Sequence, residues 1–277
     1  MPKISLFILL LALVACSGPT LTATPPPTAT ASPAPTVTLT PTATLTLTPE
    51  PTATAITKTP APHPAQVFAE PMIASIAGRK PDYHDEFSNV KSGWESNIFR
   101  DPCCSGFTYY QEGVYVVVAS PLQPGQPDGW NWAWGNNQTI IPGISNYVFE
   151  IEQHWVSGRG LVSLFLCDGT ECFNLWLPDS GGMDLALESL AGTNRLELGQ
   201  CMDRNLSWPP DQILKIRVVK MGQELAVFAN DQPACYGNIP AKYHYRLNLI
   251  QLRVGNLGTT APAEVHWDNL KVWVLKP

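Results

Sequence analysis

Apolar and polar residues alternate with a period of two along most of the chain after residue 67. Leu214, Ile216 and Val218 are apolar. The residues between them, Lys215 and Arg217, are charged, as expected for a strand with one face in a core and the other in water. Almost no segment shows the helical period. We therefore predict an all-β, antiparallel protein with strands at residues 113–118, 147–152, 161–167, 183–187, 213–219, 225–228, 245–254 and 264–274.

The last predicted strand changes its apolar phase partway along. Val265 and Trp267 occupy one phase, and Leu270 and Val272 occupy the other. A shift of one residue within a strand is typical of a β-bulge. We predict a bulge at residues 268–269.

A different pattern opens the chain. A short charged start leads into an apolar run from Leu6 to Ala15 and then Cys16, which is typical of a secretory signal and too short to span a bilayer. Leu13-Val14-Ala15-Cys16 resembles the lipobox of bacterial lipoproteins, which implies that Cys16 carries a lipid after cleavage. We predict a signal peptide at residues 1–16 and a protein held by this lipid on the outer face of a bacterial membrane. Release through an ordinary secretory signal is the alternative.

Residues 17–66 contain too few large apolar residues to form a packed core. This segment of 50 residues contains 16 Thr and 12 Pro and lacks aromatic residues, so it favours extended, solvated backbone. We predict a disordered linker at 17–66 that acts as a stalk. Residues 67–277 have globular composition and fit one β-sandwich domain.

Charge excludes one class of partner. The chain has 23 acidic and 17 basic residues and a formal net charge of -6. Proteins that bind nucleic acid through its phosphates are usually basic, so no nucleic-acid partner is expected.

Six cysteines follow Cys16, an even number that favours disulfides in an exported chain. Cys167 and Cys172 flank Asp168-Gly169, a hairpin turn signal between two apolar runs, so we predict that they are joined. A metal site is the weaker alternative, because adjacent cysteines rarely bind one tetrahedral ion. The sequence does not choose the pairing of the others, which are Cys103, Cys104, Cys201 and Cys235.

Short motifs near both ends of the domain resemble those of a known family. Asp85-Glu86-Phe87-Ser88 and Ser92-Gly93-Trp94 at the start, and Trp267-Asp268-Asn269-Leu270 at the end, are similar to the first and last strands of concanavalin A-like lectin/glucanase domains of the laminin G-like type. The segments Phe149–Glu152 and Leu214–Phe228 also lie where such domains have a long strand and a hairpin. The resemblance implies a two-sheet antiparallel jelly-roll sandwich with a role in binding sugar or protein.

Three tryptophans alternate in one short segment. Trp130, Trp132 and Trp134 fall on one face of a strand. Indole rings stack on the C–H faces of sugars, and the amides of Asn131 and Asn136 could bind hydroxyl groups. These five residues are the candidate ligand site, with an inward-facing core strand as the alternative.

Two closely spaced glutamates are candidate catalytic residues. Glu150 and Glu152 project to one side of a strand about 6 to 7 Å apart, near the separation that glycosidases use. Laminarinase-type enzymes of the similar fold carry a Glu-x-Asp-x-x-Glu run, whereas this chain has Glu150-Ile151-Glu152-Gln153-His154-Trp155. The motif is incomplete, so we expect a solvated strand face and no enzymatic activity.

Oxygen ligands at the two ends of the domain suggest a calcium site. The first and last strands of such sandwiches usually pair, which would bring Asp85 close to Asp268, and Ca²⁺ prefers oxygen ligands. A structural calcium at these residues is the one metal expected, with no other cofactor.

These inferences together predict a surface-anchored, non-catalytic module that binds a carbohydrate or another cell-envelope ligand. A glycoside hydrolase of the concanavalin A-like fold and a purely structural surface or adhesion protein are the alternatives.

Overall fold

A computed structural model describes residues 61–101, 104–122, 129–137, 143–189, 195–201, 212–243 and 245–276. Within these ranges the chain forms one helix and sixteen strands. They are α1 (Pro64–Ile76), β1 (Tyr83–Asp85), β2 (Ile98–Asp101), β3 (Cys104–Gln111), β4 (Val114–Ala119), β5 (Asn131–Asn137), β6 (Tyr147–Ser157), β7 (Gly160–Cys167), β8 (Glu171–Pro178), β9 (Asp184–Ser189), β10 (Arg195–Glu197), β11 (Gly199–Cys201), β12 (Ile213–Met221), β13 (Glu224–Ala229), β14 (Gln232–Asn238), β15 (Leu249–Asn256) and β16 (Ala263–Val274).

The strands form two sheets. The ten-stranded sheet has the order β11-β14-β13-β12-β6-β16-β4-β3-β2, with β1 also paired to β16. The six-stranded sheet has the order β10-β9-β8-β7-β15-β5. The pairings within both are antiparallel. The prediction of an all-β sandwich of two antiparallel sheets is confirmed.

The core lies between the inner faces of the two sheets, and strands such as β12 bury alternate residues there. Leu214, Ile216 and Val218 of β12 are buried as the period of two predicted. Leu164 of β7 and Leu252 of β15 belong to the same core cluster and come from the other sheet. The alternation therefore fixes which face of each strand points away from the core.

The predicted bulge in β16 is confirmed. The pairing of β16 with β6 shifts register between Asp268 and Lys271, and Asn269 has a φ of 52°. Asparagine tolerates this left-handed conformation better than most residues. The bulge lets both apolar phases of the strand face the same core.

Helix α1 was not predicted from the sequence, and it begins before the predicted domain boundary at residue 67. His63 caps it by accepting a hydrogen bond from Ala65 N at 3.1 Å, and a proline occupies its first turn. Ala65 and Ala69 are buried against the outer face of the ten-stranded sheet, in a cluster with Trp273. The end of the predicted linker, residues 64–66, is therefore helical. The remainder of that linker up to residue 60, and the predicted signal peptide with Cys16, lie outside the described residues.

No helix within the described residues is long and apolar enough to cross a membrane.

Two disulfides join neighbouring strands. Cys167–Cys172 links β7 to β8 across the hairpin, as predicted. Cys201–Cys235 links β11 to β14. Cys104 is buried in β3, and Cys103 lies outside the described residues.

Candidate functional site

The outer face of the six-stranded sheet is lined by polar and aromatic side chains, and we call it the polar face. Residues paired across antiparallel strands lie on the same face, so the register brings side chains from all six strands together. Its principal residues are Trp132, Trp134 and Asn136 on β5, Gln251 and Arg253 on β15, Ser163 and Phe165 on β7, Asn174 and Trp176 on β8, Glu188 on β9, and Arg195 and Glu197 on β10.

The tryptophan segment lies along one edge of the polar face. Trp130, Trp132 and Trp134 are each half-buried, whereas the alternate residue Ala133 is fully buried. The rings of Trp130 and Trp132 stack with centroids 5.6 Å apart. Trp176 of β8 meets Trp132 edge-on at 6.2 Å. The three indoles share a face as the sequence predicted, and that face is the outer one.

The two candidate asparagines lie on opposite faces of β5. Asn136 is on the polar face, where its Oδ1 accepts a hydrogen bond from Gln251 Nε2 at 2.5 Å. Asn131 is fully buried; its Oδ1 accepts from Ser105 N at 2.6 Å and its Nδ2 donates to Ser120 O at 2.6 Å. Asn131 therefore does not belong to the polar face, because adjacent residues of a strand point to opposite sides.

Glu188 is the centre of a hydrogen-bonded cluster on the polar face. Its Oε2 accepts from Asn174 Nδ2 at 2.7 Å, and its Oε1 accepts from Arg195 at 2.6 Å. Ser163 Oγ donates to Asn174 Oδ1 at 2.5 Å, which fixes the orientation of that amide. The Glu188 side chain is only 13% exposed. The carboxylate is thus oriented from two sides by groups on three other strands.

Arg195 connects this cluster to a second carboxylate. Its Nε donates to Glu197 Oε1 at 2.7 Å, and its guanidinium lies 4.8 Å from the centroid of the Trp176 ring. Burial opposes the charge of Arg195, but hydrogen bonding and attraction to Glu197 and Glu188 outweigh it and raise the pKa of this guanidinium. Arg195 therefore stays charged and holds both carboxylates beside an aromatic ring.

A second guanidinium lies near the middle of the polar face. Arg253 lies 3.7 Å from the centroid of the Phe165 ring, and its Nε donates to Gln251 Oε1. Trp134 is also close, at 5.9 Å. Burial lowers the pKa of Arg253 to about 10, so it remains cationic at neutral pH.

The sequence analysis did not find Glu188, Asn174 or Arg195. One feature of the sequence pointed to a site here: Asn174 is a polar residue within an apolar run, and a polar side chain is costly to bury unless it has a hydrogen-bond partner. Its partners come from β7 and β9, and their register cannot be read from the sequence.

The carboxylates that the sequence singled out lie on the other sheet. Glu150 pairs with Arg217 Nε at 2.6 Å, and Glu152 accepts from Asn269 Nδ2 at 2.9 Å. Both face outward from the ten-stranded sheet and away from the polar face. Their contacts explain them as cross-strand pairs.

The proposed calcium ligands do not come together. Asp85 pairs in register with buried Leu270 and faces the core, where its carboxylate accepts from Phe87 N at 2.8 Å and Trp94 Nε1 at 3.1 Å. Asp268 is one residue out of phase with buried Trp267 and faces outward. Among the described residues, no group of three or more His, Cys, Asp or Glu side chains could hold a metal ion. Calcium stays a prediction from the sequence.

No protein-family model matches the chain, and no curated protein matches it by sequence.

Several solved structures have a similar fold. The catalytic domain of an endo-1,3-β-glucanase (laminarinase) from Thermotoga petrophila is 10% identical, with a TM-score of 0.53 over 72% of this chain and 98% of that one. A β-1,3-1,4-glucanase (lichenase) from a mouse hindgut metagenome is 10% identical, with a TM-score of 0.51 over 70% and 99% of the two chains. The Bacillus licheniformis β-glucanase is 11% identical, with a TM-score of 0.50 over 71% and 100%.

These similarities show that the chain has the concanavalin A-like jelly-roll fold of the glucanases. At such low identity they show the fold alone. The expectation that the protein is not an enzyme is nevertheless contradicted, because these three solved structures, which share its fold over 70–72% of its length, are glucanases.

Proposed function

We propose that the protein is a glycoside hydrolase that binds its glycan across the polar face. The observation that carries the proposal is the position of Glu188, an oriented and nearly enclosed carboxylate that Arg195 connects to a row of indole rings. Aromatic rings that hold sugars and carboxyl groups that cleave the bond between them are the two parts that such an enzyme needs.

The indoles of the polar face supply the binding part. Trp132 is half-buried, and its ring packs on Gly255, where a Cβ atom would come within 2.8 Å of the ring. Glycine at this position lets the indole lie close to the sheet, and the half-buried ring keeps part of its surface in solvent, where it can contact a sugar. Trp176 and Trp130 extend the row on either side.

The carboxylates supply the reactive part. Hydrolysis of a glycosidic bond usually uses two carboxyl groups, one that attacks or activates water and one that protonates the leaving oxygen. We assign the first role to Glu188, because hydrogen bonds from Asn174 and Arg195 fix its direction. We assign the second to Glu197, the other carboxyl group bound to Arg195, because its exposed side chain is accessible to a bound glycan.

Arg195 and Asn174 are positioning residues in this proposal. Arg195 binds both carboxylates and so sets the distance between them. Asn174 accepts a hydrogen bond from Ser163 and donates one to Glu188, so it fixes the direction of the Glu188 carboxylate. Arg195 also lies on Trp176, so it holds the two carboxylates beside the indole row.

The substrates of the structural neighbours define the substrates to be tested first. Two of these neighbours are a 1,3-β-glucanase and a β-1,3-1,4-glucanase, and one further neighbour is an endo-acting O-glycanase from the human gut microbiota that initiates mucin breakdown. A panel of these three polysaccharide classes is therefore the appropriate assay set.

Trp132→Ala is expected to weaken glycan binding several-fold, because stacking on one aromatic ring is worth about 0.5 to 1.5 kcal/mol beyond the area that it buries. The dissociation constant is measured by calorimetry in a Glu188→Gln background, so that the glycan is not consumed. Phe107→Ala is the matched control, since Phe107 is an aromatic residue 41% exposed on the ten-stranded sheet. Equal affinities for the two variants would show that the indole row is not part of the glycan-binding site.

We also propose that lipid on Cys16 anchors the protein, because the lipobox-like sequence precedes a stalk with no other apolar segment. Cys16→Ala should move the protein from the membrane fraction to the soluble fraction and leave its glycan hydrolysis unchanged. Immunoblots of fractionated cells measure the distribution. Membrane retention of the variant would contradict the lipid anchor without affecting the proposed activity.

A further inference from the structure

A second polar cavity lies away from the polar face, where β12 ends and β6 begins. Its volume is about 350 Å³, within the lower part of the range for small-molecule sites. The residues that matter here are Ser145, Asn146, Lys220, Tyr245 and Arg246, which all line it.

Lys220 is a buried ammonium group without an anionic partner. The residue is 2% exposed, and its Nζ donates to Ser145 O at 2.5 Å and to Gly222 O at 2.9 Å. Both acceptors are neutral carbonyl oxygens, and no carboxylate of the described residues lies within ion-pair distance. An ammonium group has three N–H donors, so one remains. Burial lowers the pKa of Lys220 to about 8.

Tyr245 lines the same cavity with its aromatic ring. The residue is 4% exposed, and its ring centroid lies 5.6 Å from Lys220 Nζ. Its hydroxyl interacts with the hydroxyl of Tyr147, a fully buried core residue. The ammonium group of Lys220 therefore lies beside an aromatic ring and two carbonyl oxygens, none of which neutralises its charge.

The charges around the cavity favour a negatively charged occupant. Arg246 is exposed and lines the cavity together with Lys220. Two acidic residues are near. Burial and, to a smaller extent, the charge of Asp168 raise the pKa of Tyr245. The Oδ1 atom of Asp168 already accepts hydrogen bonds from Thr170 N and Glu171 N, at 2.9 Å each. Glu224 accepts a hydrogen bond from Tyr236.

We infer that this cavity binds a small oxyanion, which accepts a hydrogen bond from Lys220 Nζ and is attracted by Arg246. A carboxylate, sulfate or phosphate group has the required charge and several acceptor oxygens. The group comes either from a free inorganic ion or from a charged sugar. The site is independent of the proposed hydrolase activity, since it shares no residue with the polar face.

The test is the melting temperature of the full chain in acetate, sulfate, phosphate or glucuronate, with chloride at the same ionic strength as the reference. A bound anion raises the folded-to-unfolded ratio about tenfold at ten times its dissociation constant, and the rise saturates as occupancy follows concentration. General stabilisation by sulfate or phosphate acts through exclusion from the surface and does not saturate. A saturable rise with the inorganic ions identifies a free ion, and one with glucuronate alone identifies a charged sugar.

Two variants connect the rise to this cavity. Lys220→Met should abolish the saturable rise. Arg246→Gln removes only an exposed charge at the cavity, so it should keep the melting temperature in chloride and weaken anion affinity several-fold. Lys80→Met, at an exposed lysine, should change neither. No saturable rise with any anion, or a rise that persists unchanged in Lys220→Met and Arg246→Gln, would overturn the inference.

Discussion

Glu188→Gln should lower the rate of glycan hydrolysis by at least two orders of magnitude while leaving glycan affinity nearly unchanged. The amide keeps the size of the side chain and can still accept a hydrogen bond from Arg195. It cannot act as a nucleophile or a base, and a group in such a role typically contributes about 10²- to 10⁴-fold. The release of reducing ends from the glucan panel measures the rate, and calorimetry measures the affinity.

Glu152→Gln is the matched control for this prediction. Glu152 also accepts a hydrogen bond from an asparagine amide, but it lies on the outer face of the ten-stranded sheet. Its variant should hydrolyse glycan at the rate of the original protein. If Glu152→Gln abolishes hydrolysis and Glu188→Gln does not, the active site lies on the other sheet and our assignment is wrong.

Trp267→Ala should lower the free energy of unfolding by about 3 to 5 kcal/mol, as removal of a buried aromatic side chain usually does. Trp267 is fully buried, at 0% exposure, and belongs to the central core cluster. It precedes the bulge of β16, a strand that pairs with three others, so neighbouring strands cannot easily close the cavity. Urea unfolding followed by fluorescence of the remaining tryptophans measures the change.

Ile213→Ala provides the comparison for the core substitution. Ile213 lies on β12 of the same sheet but is exposed, and substitutions at such positions usually change stability by less than about 0.5 kcal/mol. A similar loss for both variants would contradict the placement of Trp267 in the core.

Most of the fold could be predicted from the sequence, because strands, bulges and turns are indicated by local patterns of apolar and polar residues. The period of two around Leu214 and Ile216, the phase shift at residues 268–269 and the turn between Cys167 and Cys172 are local signals, and the structure confirms all three. Helix α1 lacked such a signal. Its contact with the sheet depends on Ala65 and Ala69, small residues whose fit is visible only once the sheet exists.

The candidate site was only partly readable. Alternation placed Trp130, Trp132 and Trp134 on one face, but whether that face is inner or outer depends on the second sheet. The same alternation places Asn131 on the opposite face, which the sequence analysis overlooked. Glu188, Asn174 and Arg195 lie on three strands that are brought together by the pairing of β8, β9 and β10. No local sequence motif therefore predicts that these residues form a cluster.

The central claim is that a glycan is bound and cleaved on the polar face, and a crystal structure of the full-chain Glu188→Gln variant with an oligosaccharide from the glucan panel tests it most directly. We predict sugar rings in contact with the indole row at Trp132, with a glycosidic oxygen within hydrogen-bond distance of Glu197. An oligosaccharide bound to the outer face of the ten-stranded sheet, beside Glu150 and Glu152, would contradict the claim.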